Sequence, residues 1–358
     1  MVILHIARKG DNPCNGVSVA MPGHVRAQQK QETVGLLNIV DAKFDGIDNQ
    51  FVLDGKFSLE KLPQPFNKPD LVVFHEVYRV EYLKIYKVLK KRGVPYVILP
   101  HGGLTVGAQN NKKLKKKVAN ILLFNRFIKG AVAIQCLSQK ELNETKFKVN
   151  KFIGTNGIDI PKVQKQEFSA DGLKFLFIGR LDMYHKGLDI LLEAVGSIKD
   201  FLAENNCKFY IYGPDSNGGY EQIKQAIAQN GLKEIIILNR EIVGQNKADE
   251  LLSADCFIQT SRFEGMPMGI LEAMGYGLPC LVTYGTVLGE FISEHDAGWA
   301  CATDAESVAA AIKQAVGQKN TLSEKSKNAV KAVKENFGWE SVAKHALEKY
   351  GKLINKID

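Results

Sequence analysis

Residues 174–198 read KFLFIGRLDMYHKGLDILLEAVGSI. After Lys174, FLFI (175–178) is a short apolar run without polar alternation, which is how a strand reads when it is covered on both faces of a parallel sheet. GLDILLEAVGSI then repeats apolar residues at helical spacing. A strand, a polar loop and an amphipathic helix make half of a βαβ unit, and the pattern recurs along the chain. Buried strands are expected at VILHIA (2–7), LLNIV (36–40), LVVFHE (71–76), YVILP (96–100) and AVAIQCLS (131–138). They resume at 174–179, KFYIYG (208–213), EIIIL (234–238), CFIQT (256–260) and PCLVT (279–283). Strands alternating with helices define an α/β chain of doubly wound parallel sheets. The pattern breaks over TNGIDIPKVQKQEFSADG (155–172), which is polar and lacks helical periodicity. We therefore expect two Rossmann-like domains, 1–160 and 161–358. The tail reads as two helices interrupted near Phe337–Gly338–Trp339, with the last one available to pack back on the N-terminal domain.

A chain of 358 residues suits two domains of roughly 150–200 residues each. The hydrophobic and charged fractions, 45% and 24%, are those of a globular protein. The start lacks the long apolar core of a signal peptide, and no apolar run approaches the ~20 residues that span a bilayer. Six scattered cysteines without a C-x-x-C pair suggest reduced thiols in a cytoplasmic protein rather than a disulfide framework or a zinc site. The net charge of +8 is unevenly spread: residues 1–165 hold 27 Lys+Arg against 13 Asp+Glu, and 166–358 hold 20 against 26.

In open α/β sheets ligands bind beyond the carboxyl ends of the strands. The residues that follow each strand are therefore the candidates: Gly16 after the first, His101 after YVILP, Arg180 and Lys186 after KFLFIG, and Glu264 after CFIQT. Lys186 falls near a helix N-terminus, where a cation is disfavoured unless an anion is also held there. In GMPMG (265–269) the backbone amides around Met268 and Gly269 would point outward from a helix start, as an anion cradle. From Gly265 to Gly289 the one formally charged residue is Glu272. An ionised carboxylate in such surroundings needs donors. Glu264 beside an anion cradle makes sense if its own partner carries hydroxyls, and Glu272 could grip a diol. Two carboxylates for hydroxyls, with two cations and free amides for a diphosphate, outline a nucleotide-sugar.

FEGMPMGILEAMGYGLP (263–279) resembles the glutamate–seven–glutamate motif of the family-4 retaining glycosyltransferases, and FLFIGRLDMYHKGLDILLEA (175–194) resembles their diphosphate-binding Arg/Lys segment. PHGGL (100–104), NGV (15–17) and TNGID (155–159) resemble the family's catalytic-histidine segment, N-terminal glycine loop and interdomain turn, in the family's order. The resemblance implies GT-B architecture, two Rossmann-like domains facing a central cleft. It implies that Arg180 and Lys186 hold the donor diphosphate, and that Glu264 holds the donor sugar with amides near Met268 and Gly269. Glu272 would bind the ribose, Gly16 would approach the phosphate, and His101 would reach the sugar. No cofactor and no metal are expected; the donor would be a nucleoside-diphosphate sugar of UDP or GDP type. The base would be read in ILNREIVGQNK (237–247), where the family often has a glycine in place of Asn239–Arg240.

The expected reaction moves a hexose-type sugar with retention to a lipid-linked glycan in bacterial cell-surface polysaccharide synthesis. NKKLKKKVANILLFNRFIKG (111–130) places five lysines in six positions before Val118, Ile121, Leu122, Phe124, Phe127 and Ile128. Such a segment suits an anionic membrane surface, hence a cytoplasmic protein peripheral on the inner face of the membrane. The basic run lacks interleaved aromatics, so no nucleic acid is expected. His5, His24, His75, His185, His295 and His345 show no metal-ligand spacing and read as structural or exposed. The alternatives are another GT-B enzyme, a sugar-nucleotide epimerase or glycogen-synthase-like polymerase, and a non-enzymatic basic binding protein.

Overall fold

A computed structural model describes residues 1–8, 16–110 and 119–355. They form two compact units, Met1–Gly157 with Phe337–Asp358, and Ile158–Asn336. The first contains a sheet of seven strands: β1 (Val2–Ala7), β2 (Thr33–Asn38), β3 (Gln50–Val52), β4 (Leu71–His75), β5 (Tyr96–Leu99), β6 (Ala133–Cys136) and β7 (Lys151–Ile153). Their order is β3-β2-β1-β4-β5-β6-β7, and every pairing is parallel. The second unit contains β8 (Lys174–Ile178), β9 (Lys208–Tyr212), β10 (Ile236–Asn239), β11 (Cys256–Gln259), β12 (Cys280–Thr283) and β13 (Gly298–Cys301). These run parallel in the order β10-β9-β8-β11-β12-β13.

The doubly wound α/β fold expected from the apolar runs is therefore present in both units. Three strands escaped the sequence pattern, β3, β7 and β13. The first two are three residues long and half-buried at the sheet edges, where little side-chain area is covered and little apolar signal is needed. β13 begins with Gly298, whose Cβ would come within 2.0 Å of Cys280 O in the neighbouring strand. Packing selected a glycine there, against the β-propensity a reader looks for. β2 also begins three residues earlier than LLNIV.

Because both faces are covered, successive strand residues enter different cores. Leu4, Ile6, Val72, Phe74 and Ile98 pack on one side of the first sheet. Ile3, Ala7, Val73 and Val97 face the other side, against Met21 and Val25 of the helix Gly16–Gln29. The tail forms the helices Leu322–Phe337 and Trp339–Ile354. The second of these contributes Ala346, Leu347 and Tyr350 to that same core. Tyr350 is fully buried, and its hydroxyl donates to Gln135 Oε1 at 2.6 Å. The five cysteines among the described residues are free thiols.

The segment after 118 uses its apolar residues internally. Phe124, Phe127 and Ile128 are buried in the core of the first unit, so these three are not an exposed lipid-facing flank, whereas Leu123 is 49% exposed. The lysines at 112–117 lie outside the described residues. Among the described residues no helix is long and apolar enough to cross a membrane.

Tyr350→Phe removes a buried donor and leaves Gln135 Oε1 without it. We expect a loss of about 1–3 kcal/mol in urea unfolding, with an unchanged m-value because the fold is retained.

Candidate functional site

A doubly wound sheet has a point at which the strand order reverses, and the loops on either side diverge there to leave a crevice at the carboxyl ends. In the second unit that point lies between β8 and β11. The loop leaving β8 carries Arg180 and Lys186, and the loop leaving β11 carries Glu264. Six of the expected site residues, Arg180, Lys186, Glu264, Met268, Gly269 and Glu272, belong to this unit.

The two loops are fastened to each other. Lys186 Nζ donates to Glu264 Oε1 at 2.5 Å, with both side chains nearly buried. Gln259 Nε2 at 2.9 Å and Ser261 Oγ at 2.8 Å donate to the same oxygen. Among the described residues all three of these donors converge on Oε1. An ammonium has three N–H groups, and the pair with Glu264 uses one. Gly187, which caps the helix Leu188–Ser197, is left-handed at φ 62°. A Cβ on it would lie 2.0 Å from Thr260 O, so only glycine permits this approach. Thr260 Oγ1 donates to Gly187 O at 2.8 Å. Arg262 grips Asp189 through two bonds of 2.7 and 2.8 Å and donates to Tyr184 O.

The conflict expected of a cation before a helix N-terminus is thus met by Glu264. Arg262, the cation adjacent in sequence to the glutamate motif, is committed to Asp189 instead. Arg180 is exposed, and its Nη2 donates to His185 Nδ1 at 3.4 Å. His185 Nε2 donates to Phe263 O at 2.9 Å, and the two rings stack. Among the described residues no carboxylate pairs with Arg180.

The helix Met268–Gly275 starts one residue later than GMPMG suggests. Pro267 occupies the N-cap and supplies no side-chain cap. The first amides of this helix sit where intrahelical partners are lacking, but Met268 N is not free for the expected anion cradle, because it donates to Met266 O at 3.0 Å. Glu272 lies in its second turn and pairs with Lys247 through Oε2 at 2.5 Å. Lys247 stands on the helix Gly244–Ser253, a partner the sequence alone did not single out. Beyond β10, the Arg240 guanidinium sits over the Tyr220 ring, 3.7 Å from its centroid.

In the first unit the order reverses between β1 and β4. Gly16 opens the helix that follows β1, and residues 9–15 before it lie outside the described residues. His101 follows β5 in a left-handed conformation, φ 49°. The next amide, Gly102 N, donates to Glu141 Oε1 at 2.6 Å, and Leu137 N donates to Oε2 at 2.7 Å. Burial raises the Glu141 carboxyl above its usual range, with the two amides opposing. His101 Nε2 bonds His75 Nδ1 at 3.0 Å, and His75 Nε2 bonds His5 Nδ1 at 2.8 Å. His5 and His75 each interrupt an otherwise apolar strand, a signal visible in VILHIA and LVVFHE. Burial pushes the imidazoles down, His5 and His101 to about 3 and His24 to about 4, from an ordinary 6.5. Among the described residues no cluster of three His, Cys, Asp or Glu could hold a metal ion.

Residues 172–318 match the family of glycosyl transferases group 1. An uncharacterized glycosyltransferase of Methanocaldococcus jannaschii is 27% identical over 181 residues, 50% of this chain and 45% of its own length. The GDP-mannose:cellobiosyl-diphosphopolyprenol alpha-mannosyltransferase of Xanthomonas campestris is 25% identical over 288 residues, 78% of this chain and 73% of its own. Among solved structures, Anabaena HepE in complex with UDP and glucose gives a TM-score of 0.67 at 17% identity. It covers 98% of this chain and 100% of that one. At that identity the likeness speaks for the fold alone. Over 172–318 the chain is thus similar to a group 1 glycosyltransferase domain, and its fold is like that of the GT-B type.

The buried histidines carry a pH signature. Unfolding frees them to take up protons below 6.5 that the folded chain refuses until about 3–4. The unfolded state then binds more protons, so stability falls as pH drops through that window. We expect up to about 1.4 kcal/mol per pH unit for each such histidine. Urea unfolding between pH 7.5 and 5 checks this, and a flat profile would contradict it.

Proposed function

We propose that the chain is a retaining glycosyltransferase that moves a hexose-type sugar from a nucleoside-diphosphate sugar to a lipid-linked glycan acceptor in bacterial cell-surface polysaccharide synthesis. The observation that carries the reading is the Glu264 carboxylate. Three donors hold one of its oxygens, and it stands beside Lys186 at the switch point of the second sheet. A carboxylate oriented so firmly, with its second oxygen left over, suits a sugar hydroxyl. The unused N–H groups of Lys186, together with exposed Arg180, suit the diphosphate. Glu272 offers Oε1 to the ribose while Lys247 occupies Oε2. The base is assigned to the stretch after β10 that carries Arg240.

Breaking the glycosidic bond leaves negative charge on the diphosphate. Fixed cations aimed at that charge lower the barrier more than they stabilise the ground state. No carboxylate is assigned as a covalent nucleophile, so the acceptor attacks on the leaving-group face, assisted by the departing phosphate. The Xanthomonas relative, whose name specifies GDP-mannose and a diphosphopolyprenol acceptor, supports the donor class and the lipid carrier. The excess of lysine in 111–130 supports an anionic surface, with electrostatics supplying the attraction.

A thermal-shift panel of UDP, GDP, ADP, CMP and dTDP, run with chelator, tests the donor. A ligand at ~100 times its dissociation constant adds about 2.7 kcal/mol, so one diphosphate should raise Tm clearly. A response to none would sink metal-free donor binding. Arg180→Ala leaves the fold intact because the side chain is exposed, and we expect it to lower kcat roughly 10²–10³-fold. An unchanged kcat would remove Arg180 from the diphosphate site.

A further inference from the structure

His101 is the outer end of a series of hydrogen bonds whose direction can be worked out from its inner end. Gln135 Nε2 donates to Gly154 O at 2.9 Å, and a backbone carbonyl can only accept, so Gln135 turns its Oε1 to Tyr350. The Tyr350 hydroxyl spends its proton there and faces Gln28 with a lone pair. Gln28 Nε2 is buried, lies beside that hydroxyl and makes no hydrogen bond of ordinary geometry. The opposite orientation of the amide would set two oxygens against each other. Gln28 Oε1 therefore faces His5 Nε2, 3.0 Å away, and His5 must carry its proton on Nε2.

The rest follows ring by ring. A neutral His5 protonated on Nε2 has a lone pair on Nδ1, which accepts from His75 Nε2 at 2.8 Å. His75 then has a lone pair on Nδ1, which accepts from His101 Nε2 at 3.0 Å. We propose that His75 and His5 are positioning residues that fix His101 in the Nε2-protonated, neutral tautomer, so that its Nδ1 is presented as an acceptor at the carboxyl edge of the first sheet.

The fold places the parts for this. His5 pairs with Val73 across β1 and β4, and His75 lies two residues on, so both rings share one face of the sheet. His24 and Gln28, one helical turn apart, cover that face from the helix Gly16–Gln29. His24 is separately held by Asn156 Oδ1 at 3.0 Å and packs edge-on against Trp339. Burial keeps all the rings uncharged at neutral pH. A charged ring would carry protons on both nitrogens and could not accept from its neighbour, so neutrality and the single tautomer are one condition.

An acceptor nitrogen at His101 suits a hydroxyl, a group that a sugar substrate carries; to that extent the inference rests on the reading above. Its test does not. Protein labelled with 15N in the imidazole rings reports the protonation of each nitrogen by NMR. We expect His101, His75 and His5 each to show a proton on Nε2 alone, with couplings across both ring-to-ring bonds. In Gln28→Leu the anchor is lost two rings away from His101, and the His101 signals should become those of mixed tautomers. His75→Phe should do the same and serves if the first variant does not fold. In either variant kcat should fall roughly 10–100-fold, the usual cost of losing an orienting partner, with the donor KM little changed. A proton on His101 Nδ1 in the parent protein, or a single Nε2 tautomer surviving in a folded variant, would overturn the proposal. A failed diphosphate panel would sink the donor reading without altering the tautomer result.

Discussion

Lys186 and Glu264 are 78 positions apart in the chain and meet at 2.5 Å. Taking an ammonium and a carboxylate out of water together is tolerable when each is well hydrogen-bonded, and removing one partner strands the other at about 3–5 kcal/mol. Gln259 and Ser261 donate to the same Glu264 oxygen, Oε1, as Lys186 does. Gly187 and Thr260 bring the two backbones close enough for the pair to form. The loop leaving β8 is thereby held against the loop leaving β11, at the position where a doubly wound sheet opens its crevice. A different residue at Gly187 would strain the backbone and push Thr260 away, so that the ion pair would lose its geometry.

The first unit meets a related requirement with uncharged groups. Two imidazoles, His5 and His75, and two amides, Gln28 and Gln135, are buried among parallel strands and helices, and His101 is half-buried at their edge. Each must have a donor where its neighbour has an acceptor, because an unpaired polar group in that environment is expensive. One backbone carbonyl, at Gly154, sets the direction of every bond outward to His101. The helix Trp339–Ile354 thus does more than cover apolar surface. Its Tyr350 hydroxyl is a link in the series, and the buried area around it orders the link.

Much of this could be read beforehand. Continuous apolar runs revealed both sheets, since strands covered on two faces need apolar residues at every position. The candidate site residues of the second unit stand out in the sequence because they follow such runs, and their type is unusual there. The short strands β3, β7 and β13 left no apolar signature. Lys247 gave no warning, for a lysine on an amphipathic helix looks solvated until its partner is known. The apolar residues after 118 suit a membrane surface by composition, yet Phe124, Phe127 and Ile128 are buried in the core of the first unit; hydrophobicity does not say which apolar neighbour a side chain finds.

The amino-acid sequence by itself determined the strand–helix alternation and the chemical types gathered at strand ends, because these depend on local periodicity and composition, whereas the tail from Phe337 joins the first compact unit through tertiary contacts. Pairings were decided by tertiary structure alone: Lys186 with Glu264, Lys247 with Glu272, Arg262 with Asp189, and His101 with His75 and His5. Such contacts join residues from different βα units, and their existence depends on strand order. No periodicity encodes that order. A histidine in a strand and another past the end of a different strand acquire a common role only when the sheet sets β1, β4 and β5 side by side.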